Sequence, residues 1–136
     1  MTAARLPHEK DTTLLVRTDF SDEDTWHALL EIVTDPWVEG SSANLRVLDD
    51  PAYRDAPAEQ LTADAPEWSM VFIADREALT HPEHPLLVVH TTDEGRERLR
   101  VVPRELWSVE NNISISNMDW EDFADAVDED GVFRGF

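Results

Sequence analysis

The chain has 136 residues, 30 of them acidic against 11 basic, for a formal net charge of -19 and a pI near 4.3. That length suits one domain around one core. The absence of cysteine excludes disulfides, thiolate metal sites, iron–sulfur clusters and a cysteine nucleophile. The single lysine, Lys10, and the glycines at 40, 95, 131 and 135 supply no Schiff-base lysine within a site, no phosphate loop and no dinucleotide fingerprint.

Residues 1–11 are polar, contain Pro7 and lack the apolar run of a secretory signal. They read as a flexible N-terminal arm ahead of one α/β domain over 12–136. Residues 12–18 (TTLLVRT) are β-branched and apolar, which predicts a strand. Ser21 reads as the N-cap of a helix, with Asp22, Glu23 and Asp24 facing the positive end of its dipole. Trp26, Leu29, Leu30 and Val33 recur at helical spacing, and the helix must end before Pro36. A loop over 35–43, containing Trp37, leads to a second strand at 44–49. Pro51, Pro57 and Pro66 punctuate 50–68 and leave room for one short helix at 58–63. Residues 69–74 (SMVFIA) read as a buried third strand, 76–79 as a turn of helix and 81–85 (HPEHP) as rigid loop. Strands at 86–90 and 98–102 flank the turn signal Asp93-Glu94-Gly95 and form a hairpin. Residues 103–107 open a short helix. The last helix covers 118–127, capped by Ser116 or Asn117, with Trp120, Phe123, Ala124 and Val127 turned inward. The tail turns at Gly131, and Val132, Phe133 and Phe136 are apolar enough to dock on the core. Right-handed crossovers make the first three strands parallel. The expected architecture is a single-domain α/β fold, a mixed sheet of about five strands. Its first three strands are parallel, its C-terminal hairpin is antiparallel, and helices pack on it.

The charge is uneven. Residues 19–50 and 105–136 each carry nine acids against a single arginine, whereas 81–104 are neutral. Nucleic acid and anionic membrane are poor partners for such a surface, because both require lysine and arginine to neutralise phosphates. A basic protein is its natural electrostatic partner, although acidity also serves solubility alone. The longest apolar stretches, 70–74 and 86–89, fall far short of a membrane span, so a cytoplasmic location is expected.

Two sets of residues are candidates for a site. Asp19, Asp49, Asp50 and Asp75 follow directly on predicted strand ends, where open α/β sheets bind their ligands. Converging carboxylates there would hold Mg²⁺ or Ca²⁺, though aspartate after a strand is also a common turn or cap residue. The stretch 107–120 reads as a connection between two helices, rich in Asn, Ser and Trp. It is either a structured link whose amides satisfy backbone or a contact surface in which tryptophan anchors and polar groups fix register. Trp107, Glu110, Asn111 and Asn112 are its candidate binding residues. Trp37 and Trp68, in loops, are candidate exposed anchors, while Trp26 and Trp120 belong to helical core faces. His81, His84 and His90 are a weak metal signal, since Pro82 and Pro85 prevent a helix from presetting their geometry. No specific acid–base pair or serine elbow stands out.

Three blocks together resemble a known family. They are residues 13–22 (TLLVRTDFSD), Phe72-Ile73-Ala74-Asp75 with residues 84–89 (HPLLVV), and Leu106 through Phe136, the last being the most specific. The chain is similar over them to a family of small acidic bacterial single-domain proteins of unknown function. That resemblance implies a single domain and no particular activity. Two functional expectations remain. The first is a non-catalytic acidic protein-binding module for a basic partner, of the inhibitor or immunity type, with no cofactor. The alternative is a divalent-metal-dependent enzyme or small-ligand binder at the carboxyl ends of the parallel strands.

Overall fold

The computed structural model of the chain describes Leu6 and residues 13–34, 45–63, 65, 69–92, 95–114 and 118–135. Its strands are β1 (Thr13–Arg17), β2 (Leu45–Leu48), β3 (Met70–Ala74), β4 (Leu86–Thr92), β5 (Gly95–Val101) and β6 (Val132–Phe133). They form one sheet in the order β2-β1-β3-β4-β5-β6. β1 pairs in parallel with β2 and with β3. β4 runs antiparallel to both β3 and β5, and β6 lies parallel to β5. The fold is therefore a single mixed α/β domain, with the parallel trio and the antiparallel hairpin in place. The hairpin does not end the sheet, because the tail adds a sixth strand beyond it. Gly131, at φ +80°, makes the turn that brings β6 alongside β5.

The helices are α1 (Glu23–Thr34), α2 (Ala58–Leu61), α3 (Arg76–Thr80), α4 (Leu106–Ser114) and α5 (Trp120–Ala124). Alternation along the central strands sends side chains to two cores. Leu15, Phe72 and Val88 join Trp26, Leu29 and Val33 of α1, Leu106 and Val109 of α4, and Phe123 of α5 on one face. Leu14, Val16, Ile73 and Val89 join Tyr53 and Leu61 on the other. Burying such side chains contributes about 1.5–3 kcal/mol each. Leu6 is buried in the second core. The rest of the expected N-terminal arm lies outside the described residues, as do Trp37, Trp68 and Phe136.

Three local expectations change. α1 starts at Glu23 and is capped by Asp22, not Ser21. Asp22 accepts the Thr25 N–H at 3.1 Å, while the Ser21 N–H is captured by Asp19 Oδ1 at 2.7 Å, which holds Ser21 outside the helix. The final helix is shorter than expected. It begins at Trp120, where Asp119 takes the cap position and its N–H donates to Asp122 at 2.9 Å. Most of the supposed connection over 107–120 is α4. Leu106, Val109 and Ile113 give it a helical stripe on the core. Asn111 and Asn112 donate to the carbonyls of Trp107 and Ser108, one turn back, at 2.9 and 2.8 Å. Their amides serve the helix itself instead of a loop.

Candidate functional site

The connections from β1 to β2 and from β2 to β3 run in opposite directions across the sheet, because β1 lies between β2 and β3. The gap between the β1 and β3 carboxyl ends is thus the topological switch point, where α/β sheets open a crevice. A cleft of about 280 Å³ occupies that position. Thr18 and Asp19 line it from the end of β1, Ile73 and Asp75 from the end of β3, and Leu87 from β4. The segment from Asp55 to Ala58 forms the opposite wall, and Arg76 and Glu77 of α3 lie at its rim.

The backbone explains the placement. Thr18 N–H bonds the Ala74 carbonyl at 3.1 Å, extending the β1–β3 pairing up to the cleft. The Asp55 N–H donates to the Thr18 carbonyl at 2.8 Å and ties the far wall to the same point. Asp55 itself has φ +56°, in the left-handed region that Asp tolerates better than most side chains.

The four strand-end aspartates do not act as one cluster. Only Asp19 and Asp75 line the cleft. Asp49 accepts from Arg17 and from the Trp26 indole N–H, both at 3.2 Å. Asp50 caps the 3₁₀ turn Pro51–Tyr53 by accepting the Ala52 N–H at 2.9 Å. Among the described residues no three His, Asp or Glu side chains are grouped to hold a metal ion. His81 Nδ1 accepts the Glu83 N–H at 3.0 Å, His84 Nδ1 meets the Ala78 carbonyl at 2.9 Å, and His90 stacks on Trp120 at 5.0 Å. The three histidines are therefore engaged separately.

Within the cleft the two aspartates differ. Asp75 caps α3 through the Ala78 N–H at 3.1 Å and takes both terminal nitrogens of Arg100 at 2.7 and 3.0 Å. Glu77 binds the Arg100 Nε at 2.6 Å. Burial opposes the Arg100 charge, but its bonds to Asp75 and its attraction to both carboxylates prevail and raise its pKa. Asp19 has no such cation. Only 6% exposed, it accepts the Ser21 N–H on Oδ1, and its Oδ2 has no donor among the described residues. Asp55 also makes no ion pair among the described residues, and neither does the exposed Arg76.

Beside the cleft, Arg17 anchors the strand ends. Its guanidinium is buried, bonded to Glu23 at 2.6 Å and Asp49 at 3.2 Å, and lies 4.3 Å from the centre of the Phe20 ring. Burial lowers its pKa, but the bonds to Glu23 and Asp49 outweigh that and leave it raised. Arg17, Arg100 and Asp55 were not singled out by sequence. An arginine inside an otherwise apolar strand, and a turn aspartate two residues before a proline, were the only signals.

Of the candidate contact residues on 107–112, one is buried and three are half-buried. Glu110 is 3% exposed, Trp107 is half-buried, and both asparagines bond their own helix. Among the described residues no helix is long and apolar enough to cross a membrane. No curated protein matches the chain. A family model described as a domain of unknown function, DUF6924, matches residues 12–136, and the chain belongs to that family.

Proposed function

We propose that this member of the DUF6924 family is a non-catalytic acidic binding module for a basic protein, of the inhibitor or immunity type, acting in the bacterial cytoplasm. The cleft at the β1 and β3 ends carries this reading. It gathers Asp19, Asp55, Asp75 and Glu77 in one place, and among the described residues only the last two share an arginine. A charge of -19 draws a basic partner toward such a cleft from a distance.

The test is a pull-down from lysate of the protein's own source, followed by reconstitution with the purified partner. Binding is measured at about 0.01 M and about 1 M salt, where the Debye length falls from about 30 to about 3 Å. One stoichiometric basic protein, lost at high salt, supports the module. A neutral or acidic partner held equally at both salts overturns it.

The switch-point position favours a second reading, a small-ligand or Mg²⁺- or Ca²⁺-dependent site at the same strand ends. That reading requires a metal-dependent rise in melting temperature which Asp19→Asn removes.

A further inference from the structure

Asp19 lines the cleft and is only 6% exposed, and its Oδ2 accepts no hydrogen bond among the described residues. That oxygen is not sealed from solvent, and the bond from the Ser21 N–H to Oδ1 holds the carboxylate in place, so an entering cation meets a fixed acceptor. We propose that the cleft is a socket for an alkylguanidinium, the side chain of an arginine presented by the basic partner, with Asp19 Oδ2 as its acceptor. The proposal rests on the binding-module reading and names the group that reading requires.

Size, walls and charge select this group. At about 280 Å³ the cleft is at or below the small end of drug-sized ligand sites, roughly 300–1,000 Å³, and suits one side chain. Pro57, Ile73 and Leu87 line it with apolar surface for a methylene stem. A guanidinium is planar and weakly hydrated, so it enters a closed site at lower desolvation cost than an ammonium. Its several donors suit a cleft that both Asp19 and Asp55 line. Arg100 already shows the mode, with one guanidinium shared between Asp75 and Glu77. Arg76 at the rim opposes a second positive charge, which favours a monocation over a polyamine or a divalent ion.

The experiment titrates the ¹⁵N-labelled full chain with acetyl-arginine-amide, acetyl-lysine-amide and free arginine, followed by backbone amide shifts. Saturable shifts at Ser21 and Asp55 with acetyl-arginine-amide are expected, with the lysine analogue weaker by about tenfold. Asp19→Asn keeps an oxygen for the Ser21 N–H and should weaken the arginine probe by about tenfold or more, the worth of a charge-assisted hydrogen bond. Asp55→Asn, on an exposed residue whose φ asparagine tolerates, should weaken it less and serves if the first variant does not fold. Absence of shifts at the cleft, equal affinity for the arginine and lysine probes, or an unchanged affinity in folded Asp19→Asn each overturn the socket. Free arginine binding about tenfold tighter than the capped probe overturns the partner-arginine assignment in favour of a metabolite. A reconstituted basic partner that binds Asp19→Asn and wild type alike overturns the socket while the module stands.

Discussion

The strand-end cleft and the C-terminal corner are both acidic and opposite in balance. At the corner, Arg134 takes Glu83 with two nitrogens at 2.7 and 2.8 Å and reaches Asp128 at 2.6 Å and Asp130 at 2.7 Å. Bonds to those three carboxylates raise the Arg134 pKa well above the usual arginine value. Behind the cluster β6 completes the sheet, and Phe133 packs edge-on against Phe123 at 5.1 Å. The corner's acids face a cation that the chain itself supplies, so they close the fold. At the cleft, Arg100 covers Asp75 and Glu77, while Asp19 and Asp55 pair with no cation among the described residues. Counting acids does not separate the two regions. Asking which carboxylates already hold an arginine does.

The largest effects should come from breaking the corner as structure. Phe133→Ala removes a fully buried ring and should cost about 3–5 kcal/mol, read as a drop in the urea midpoint. A loss under about 1 kcal/mol would mean that β6 is an appendage and the corner is not a structural element. Next is Arg100→Met, which leaves Asp75, Glu77 and the Pro85 carbonyl without their donor. It should destabilise by about 1–3 kcal/mol and make the cleft bind acetyl-arginine-amide more tightly. Weaker binding would show that Arg100 shapes the cleft and that its charge is secondary there.

What the sequence made legible follows from how local each signal is. The strand segments 13–17, 70–74 and 86–92 are dense in apolar residues, the alternation of strands with helices over 13–74 predicts the parallel trio, and the turn signal at Gly95 predicts the hairpin. β6 was legible only as apolar residues near the end, because two residues carry no periodicity. α4 was hidden by its asparagines and serines, whose usual preference for turns masks the spacing of Leu106, Val109 and Ile113. At the site, Asp19 and Asp75 were found by the rule that ligands gather beyond parallel strand ends. Asp49 and Asp50 satisfy the same rule but are turned away by long-range bonds to Arg17 and by a local cap. Asp55 comes from a turn 36 residues after Asp19, and long-range contacts, among them its backbone bond to Thr18 and Arg54 over the Phe20 ring, bring it there.

The corner's arginine should also be visible in acid. Hydrogen bonds from Arg134 lower the pKa values of Glu83 and Asp130 below their ordinary 4.5 and 3.8. Groups with depressed folded-state values bind fewer protons folded than unfolded, so they stabilise the fold above the unfolded values. That stability is lost as pH falls through the ordinary values toward the folded ones. Urea midpoints of Arg134→Met should therefore fall less steeply than wild type below about pH 4.5, and the difference should shrink in high salt because these groups are solvent-exposed. Parallel acid profiles for the two proteins would remove Arg134 from the account of the corner.

The smallest expected change tests the cleft's remaining charge. Arg76 is exposed and unpaired among the described residues, so Arg76→Glu should alter stability by no more than about 0.5 kcal/mol. It replaces the one uncovered cation at the rim with an acid, and affinity for acetyl-arginine-amide should rise a few-fold at low salt. The gain should vanish at about 1 M salt, since a rim charge acts through solvent. Asp19 is only 6% exposed, so a charge-assisted bond to it is screened less and the loss caused by Asp19→Asn should persist at the same salt. A salt-insensitive rim effect, or a salt-erased Asp19 effect, would reverse the assignment of inner acceptor and outer field that distinguishes this cleft from the closed corner.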